Sequence, residues 1–322
     1  MTKPLRLQRW DAAVAAYLSS RRAIGRRYDG DERILGNLRA YLARCGARDL
    51  DQVRFERWRR RWSHCITNTR VDYALVVYRF CRYRRRSEPR CFMPERLALG
   101  RHQAYPLPTP VDDQQVLRLL RFITQLRPVP GRPLRKASLR LAIVLLYTAG
   151  LRRGELARLT LEDADETTGV LRIRASKFHK SRWVPLSPSA TDELRAYLRT
   201  RRLAEPNPSP GASLLCSRVG QPYSPEGLSN AVKNIMVQSG IWSGARRARV
   251  HDFRHGFAVA ALRRWYETDA DVQSHLPKLA LYMGHVSIAS TAYYLRLMPA
   301  VIILASQRFG RSCGDIVDGG AP

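Results

Sequence analysis

Between residues 88 and 110 the chain loses its hydrophobic periodicity and takes up five prolines, at 89, 94, 106, 108 and 110. Proline removes an amide donor and fixes φ, so neither a long helix nor a central strand runs through such a stretch. The chain must therefore fold as separate pieces on either side, and its 322 residues suffice for two domains. The expected organisation is a helical domain at 1–87, a semi-extended linker at 88–106 and a second domain at 107–322.

The first piece reads as short amphipathic helices. Trp10, Ala13, Val14, Tyr17 and Leu18 recur at helical intervals, as do Ile34, Leu35, Leu38, Tyr41 and Leu42. Residues 51–62 and 67–84 suggest two more, the last turning Tyr73, Val76, Val77 and Phe80 inward. Residues 1–100 hold 24 Lys and Arg against 10 Asp and Glu, so nearly half of the chain's net charge of +29 falls in its first third. Much of it sits in two arginine runs, Arg57, Arg59, Arg60 and Arg61, then Arg82, Arg84, Arg85 and Arg86. One such run is ordinarily a solvated face. Two in one small helical module, with few carboxylates between them, point to a surface that binds phosphate.

A pI near 10.9 implies a polyanionic partner, although ribosomal and membrane-surface proteins share that balance. With 45% hydrophobic residues the chain builds real cores, which excludes general disorder. The longest apolar run, 141–151, is too short to span a bilayer, and the first ten residues lack a signal peptide's apolar stretch. A cytoplasmic protein with no membrane partner is expected. The six cysteines, at 45, 65, 81, 91, 216 and 313, form no C-x-x-C pair and have no histidine at zinc-finger spacing. They read as free thiols, with no structural metal.

The second piece opens with a helix-start pattern: Thr109 as N-cap, Pro110 at the first position, and Asp112 and Asp113 at the positive end of the dipole. A buried helix at 139–148 breaks at Gly150. Alternation at 170–174 and 182–186 predicts a β-hairpin. Helices return at 191–201, at 224–239 with Ser224 as cap, and at 252–266. The fold class is mainly α with a small antiparallel β-sheet.

No P-loop, dinucleotide fingerprint or H-E-x-x-H occurs, and acidic residues are too sparse for a two-metal nuclease. Whatever chemistry the chain performs must use basic groups and a side-chain nucleophile. Four separated stretches supply them. They are Thr148-Ala-Gly-Leu-Arg-Arg-Gly-Glu-Leu156, Ser176-Lys-Phe-His-Lys-Ser-Arg-Trp-Val-Pro-Leu186, His251-Asp-Phe-Arg-His255, and a stretch from Leu281 to Tyr294 that contains Met283-Gly284-His285.

In these residues the sequence resembles the tyrosine recombinase (phage integrase) family. Gly150, Leu151, Arg152, Glu155 and Leu156 match the family's first box, and Lys177 falls at its hairpin lysine. His251 and Arg254 form its His-x-x-Arg pair, Gly284-His285 its Gly-His box, and Tyr294, nine residues on, its nucleophile. The resemblance covers about 107–300. Over residues 1–100 it is one of character and position only, to the family's helical core-binding domain. It implies a two-domain architecture with an α+β catalytic domain, and catalytic roles for Arg152, Lys177, His251, Arg254, His285 and Tyr294. Glu155 would support a catalytic histidine. No cofactor is implied. The implied partner is double-stranded DNA, bound by a homo-oligomer (a tetramer), alone or with sister recombinases, in a bacterial cytoplasm.

Taken singly, each residue has an ordinary reading: Arg152 as a surface arginine, Lys177 as a turn lysine, His251 as a helix cap, His285 and Tyr294 as core. The ordered set carries the signal, and the chemistry is coherent. Cleaving a phosphodiester without metal needs an anion clamp, a nucleophile and an acid for the leaving alkoxide. Two guanidiniums suit the phosphate, an ammonium the leaving oxygen, and a cationic surround favours the phenolate of a tyrosine. A phosphotyrosine preserves the bond energy for religation, so no ATP motif is required. Lys180 and Arg182 remain competitors for the lysine's role, and Tyr293 for the nucleophile's. A relaxing, tyrosine-dependent topoisomerase and a catalytically silent DNA-binding protein are the alternatives. The apolar segment 299–305 reads either as a helix packed on its own domain or as one docking on a neighbouring protomer.

Overall fold

The structure is a computed structural model that describes residues 7–25, 28–104, 108–174, 181–241, 249–268, 270–285, 287–297, 303 and 306–307. The chain divides into two compact units, Met1–Pro106 and Leu107–Pro322.

The first unit is built from α1 (Gln8–Arg22), α2 (Asp29–Arg44), α3 (Gln52–Arg60) and α4 (Thr67–Arg84). Asp51 starts α3 by accepting the Arg54 N–H at 2.7 Å, which satisfies one of the helix's orphan donors. α4 buries Val71, Ala74, Val76, Val77, Phe80 and Cys81, so it lies at the centre of the bundle rather than on its surface. Trp10 and Tyr17 of α1 meet Phe80 edge-on at 5.0 and 5.7 Å, an arrangement that aromatic quadrupoles favour. Trp58 is fully buried and its indole N–H donates to Asn37, so its polar atom is not stranded.

The proline-rich segment packs on this unit. Phe92 and Met93 join its core, and Leu99 is buried in a short 3₁₀ turn, Leu97–Leu99. The Asn68 amide exchanges two hydrogen bonds with the Gln103 backbone, at 2.9 and 2.7 Å.

The two arginine runs differ from their expected uniformity. Arg57, Arg60, Arg61, Arg82, Arg85 and Arg86 are exposed. Arg59 is half-buried, 3.0 Å from Glu56. Arg84, expected to face DNA, is only 4% exposed: it pairs with Asp49 at 2.8 and 2.9 Å and with Glu88 at 2.6 Å, over the Trp10 ring. Two carboxylates already satisfy its fork, so Arg84 ties α4 to its neighbours and does not lie on an open basic surface as expected.

The second unit contains α5 (Asp113–Thr124), α6 (Arg135–Thr148), α7 (Arg153–Leu156), β1 (Ala164–Asp165), β2 (Val170–Ile173), β3 (Arg182–Pro185), α8 (Pro188–Ala204), β4 (Cys216–Arg218), β5 (Gln221–Pro222), α9 (Pro225–Gln238), α10 (His251–Glu267), α11 (Val272–Met283) and α12 (Ala289–Leu297). α6 buries Leu139 and every residue from Leu141 to Leu146, and packs against α5, α8, α9, α10 and β4. The hairpin forms as the alternation predicts: β1, β2 and β3 make an antiparallel sheet with Leu171 opposite Val184 and Ile173 opposite Arg182. Ser224 caps α9, with Pro225 in the first turn.

α5 begins later than its sequence suggests. Asp112, not Thr109, is the cap: it accepts the Gln115 N–H at 2.8 Å, while the Gln115 side chain accepts the Asp112 N–H at 3.1 Å. Val111 just before it is committed to α10, its N–H donating to Asp252 O. Gly256 allows this approach, because a Cβ there would sit 2.2 Å from the Val111 carbonyl.

A separate apolar cluster of Ala258, Leu262, Leu276, Leu279, Met283 and Tyr294 joins α10, α11 and α12. It fixes α12, and with it Tyr294. Among the described residues no helix is long and apolar enough to cross a membrane.

Candidate active site

The first box is a turn that requires glycine. Gly150 sits at φ +57°, and a Cβ there would lie 2.5 Å from the Phe257 ring. The turn ends α6 and makes Arg152 the N-cap of α7. Glu155, in the first turn, accepts the Arg152 N–H at 3.0 Å and the Arg152 guanidinium at 2.6 Å. Its two oxygens also take Arg182 from β3, at 3.1 and 3.0 Å. Burial alone would raise the Glu155 pKa, but the hydrogen bonds and charge of Arg182, followed by those of Arg152, hold it down to about 2. Glu155 thus supports two arginines, not the histidine it was expected to support.

The Gly-His box is the C-terminus of α11. Gly284 adopts the left-handed conformation at φ +69°, the Gly284 N–H bonds Leu281 O, and the His285 N–H bonds Ala280 O at 2.8 Å. This is a Schellman end, and it explains why glycine must precede the histidine. Three arginines then take successive carbonyls beyond it. Arg182 Nε donates to Tyr282 O at 2.8 Å, Arg254 Nη2 to Met283 O at 2.6 Å, and Arg152 Nη2 to Gly284 O at 2.7 Å. The negative end of the helix dipole thereby gathers the cations. Arg254 also donates through Nη1 to Gly150 O at 2.5 Å, joining the first box to the Gly-His box. Burial, and then the Arg152 charge, pull the Arg254 pKa below its ordinary value, yet the group stays cationic at neutral pH.

The histidines converge on the tyrosine. His251, Arg254 and His255 share a face of α10, at positions i, i+3 and i+4. The His255 Nδ1 lies 3.0 Å from the Tyr294 hydroxyl, and the His251 ring meets the His255 ring edge-on at 4.7 Å. His285 pairs through Nδ1 with Thr291 Oγ1 at 2.7 Å and lies nearly parallel to the Tyr294 ring, 6.4 Å away. Tyr294 is 3% exposed. Burial, followed by neighbouring charged and titratable groups, with Arg254 among them in each case, lowers the pKa of His251 to about 3 and those of His255 and His285 to about 4. All three rings are neutral at physiological pH.

Five of the six expected catalytic residues, Arg152, His251, Arg254, His285 and Tyr294, therefore meet around the ends of α6, α10 and α11. Lys177 and its competitor Lys180 lie outside the described residues, as do the side chain of Tyr293, Cys313 and all of segment 299–305 except Ile303. Arg182, the other competitor, is bound to Glu155 and Tyr282 O. Reading the sequence missed His255 and Thr291. His255 was visible as the fourth residue after His251, on the same helix face.

Residues 111–300 match the model of the Phage integrase family. Two proteins of Sinorhizobium fredii that carry integrase/recombinase names are similar to this chain. One, y4rE, is 35% identical over 254 residues, covering 79% of each chain, and the other, y4rB, is 32% identical over 312 residues, covering 94% of this chain and 98% of its own. Among solved structures, the Tn1549 transposon integrase in complex with transposon right end DNA superposes with a TM-score of 0.63 at 16% identity, covering 93% of this chain and 98% of that one. The XerH site-specific recombinase, bound to its difH substrate after cleavage, gives 0.59 at 18% identity, covering 80% and 72%. By the family match and the extent of these likenesses, this chain belongs to the phage integrase family, that of the tyrosine recombinases.

Proposed function

We propose that this chain is a site-specific recombinase that cuts and rejoins duplex DNA through a covalent bond from Tyr294 to a 3′ phosphate, in the service of a mobile genetic element. One observation carries this reading: a buried phenol lies within a single site with Arg152, Arg254 and three neutral histidines. Arg152 and Arg254 would clamp the scissile phosphate. Each guanidinium nitrogen that now donates to a carbonyl carries a second N–H for a phosphate oxygen; Arg152 is partly open, while Arg254, 1% exposed, would have to be uncovered as the DNA binds. His251 and His285 would donate to the phosphate once its charge offsets the arginines. Lys177 would protonate the departing 5′ oxygen, and Glu155 would hold the arginines in place.

In this reading residues 1–87 bind DNA through the exposed Arg57, Arg60, Arg61, Arg82, Arg85 and Arg86, and residues 107–322 carry the chemistry. The assembly on DNA would be a tetramer of this chain, alone or with sister recombinases. Suicide duplexes made from the DNA flanking the coding region test the reading. The chain should form a covalent protein–DNA adduct in EDTA and without ATP, and only on particular sequences. Adduct on any duplex would favour a relaxing topoisomerase, and no adduct would leave a silent DNA-binding protein.

A further inference from the structure

A nucleophilic phenol must lose its proton, and burial limits where that proton can go. Tyr294 is 3% exposed, so bulk water is a poor acceptor for it. Of the three histidines, His285 has its Nδ1 against Thr291, and His251 turns its ring toward His255. His255 alone places a ring nitrogen within hydrogen-bonding distance of the Tyr294 hydroxyl among the described hydrogen bonds, at 3.0 Å. The α12 helix sets that contact from one side through the cluster of Leu262, Leu276 and Met283, and α10 sets it from the other.

We propose that His255 accepts the Tyr294 proton as the phenol oxygen attacks the 3′ phosphate. This rests on the recombinase reading above. The Oη–H bond breaks and the proton passes to Nδ1. The Oη–P bond forms, and the bond from phosphorus to the 5′ oxygen breaks, that oxygen taking a proton from Lys177. Religation runs the same transfers backwards. No oxidant, metal or water is consumed.

The surroundings of His255 suit a base that must be neutral before the reaction. Burial first, then the charges of Arg254 and Arg249, hold its pKa down to about 4, so the ring is neutral, and in its Nε2–H tautomer the lone pair lies on Nδ1, facing the Tyr294 hydroxyl. Among the described residues, His251 on the same helix, Tyr294 on α12 and His285 after α11 are further titratable groups around it. A phosphate arriving between Arg152 and Arg254 offsets their charge and raises the basicity of the ring at the moment it is needed.

The test is single-turnover adduct formation on suicide duplexes from the flanking DNA, across pH, with wild type and His255→Gln. The glutamine side chain can accept a hydrogen bond but cannot take the proton. The variant should bind these duplexes with unchanged affinity and cleave them on the order of 10²-fold more slowly. Its rate should climb tenfold per pH unit toward the phenol's own pKa, where the wild-type rate is level. Imidazole should partly restore His255→Ala. A His255→Gln rate close to wild type, or one depressed equally at every pH, would overturn the proposal, since a merely structural role predicts the latter. In the free protein, ¹⁵N shifts of the His255 ring should show Nδ1 unprotonated, and a protonated Nδ1 would also overturn it. Absence of adduct from the wild-type chain on every duplex would remove the recombinase reading and this proposal together. Adduct formed equally by wild type and His255→Gln would remove this proposal alone.

Discussion

Arg152 donates to the carbonyl of Gly284 at 2.7 Å, and this bond joins two sequence boxes more than a hundred residues apart. Its neighbours Arg254 and Arg182 bind the two preceding carbonyls in the same way. The three arginines are therefore held together on the end of α11, and the phosphate clamp proposed for Arg152 and Arg254 would be pre-assembled there. Preorganised donors of this kind need little rearrangement when charge develops, which is where electrostatic catalysis gains its advantage.

Replacing either clamp arginine should be costly. Arg152→Ala or Arg254→Ala should slow adduct formation by roughly 10²-fold or more. Arg254→Lys should restore only part of the rate, because a single ammonium nitrogen cannot span Gly150 O and Met283 O as Nη1 and Nη2 do while also presenting paired donors to a phosphate. Full activity of Arg254→Lys in single-turnover assays would contradict the clamp.

Arg182 and Lys177 should separate cleanly. Arg182 is bound to Glu155 and to Tyr282 O, so Arg182→Ala leaves the buried Glu155 carboxylate with Arg152 as its one ion-pair partner and should destabilise the second unit by about 1–3 kcal/mol. Urea denaturation reads that loss. Lys177→Ala should leave stability alone, and a substrate with sulfur at the 5′-bridging position should recover its cleavage, since sulfur leaves without a proton. Thio rescue in the arginine variant instead of the lysine variant would reverse these roles.

The nucleophile can be assigned directly. Tyr294→Phe should abolish the adduct and leave DNA affinity nearly unchanged, because one phenol oxygen adds little to a phosphate-dominated interface. Tyr293→Phe should still form adduct. Swapped phenotypes would place the attacking oxygen on Tyr293.

Much of this site was legible because it lies in local turns. Gly150 and Gly284 mark left-handed positions, and glycine announces those in any sequence. The 170–186 hairpin was legible from strict alternation. Partners distant in the chain were not: nothing local to Glu155 says that its oxygens will face Arg182, because the pairing depends on how β3 packs beside α7. Arg84 misled for a similar reason. Its run resembles a solvated face, and only the approach of Asp49 from another helix boundary buries it. Thr109 and Pro110 form a good cap by pattern, yet Val111 is claimed by α10 and the helix waits for Asp112. His255 was in view, but its role depends on where α12 delivers Tyr294.

The depressed histidines should make the second unit sensitive to mild acid. His251, His255 and His285 stay neutral in the fold down to about 3, 4 and 4, whereas an unfolded chain protonates them near an ordinary 6.5. Between those values the unfolded state binds more protons, so stability falls as pH drops from about 6.5 toward 4. Glu155 adds its own loss only below 4.5, since its pKa is lowered to about 2, and Asp252, raised by burial, opposes the trend. Urea midpoints measured from pH 7 to 5 should decline. A flat profile there would mean the three rings are not held neutral.

The exposed arginines of the first unit should behave unlike Arg84. Arg60, Arg61, Arg85 and Arg86 are open to solvent, and in the proposed function their binding to phosphates would release counterions. Replacing Arg85 and Arg86 with alanine in the full chain should weaken binding to all duplexes about equally and flatten the log–log salt slope by about 1 for each phosphate no longer neutralised. Arg84→Ala removes the bridge to Asp49 and Glu88, leaving both carboxylates without their partner. It should destabilise the first unit by about 1–2 kcal/mol, since both carboxylates are open enough for water to replace the arginine, while the folded fraction keeps the wild-type salt slope. Salt-dependent affinity and urea unfolding, measured on the same samples, decide between them. A salt slope reduced in Arg84→Ala but kept in the Arg85 and Arg86 variant would show that the buried residue, not the open ones, meets DNA.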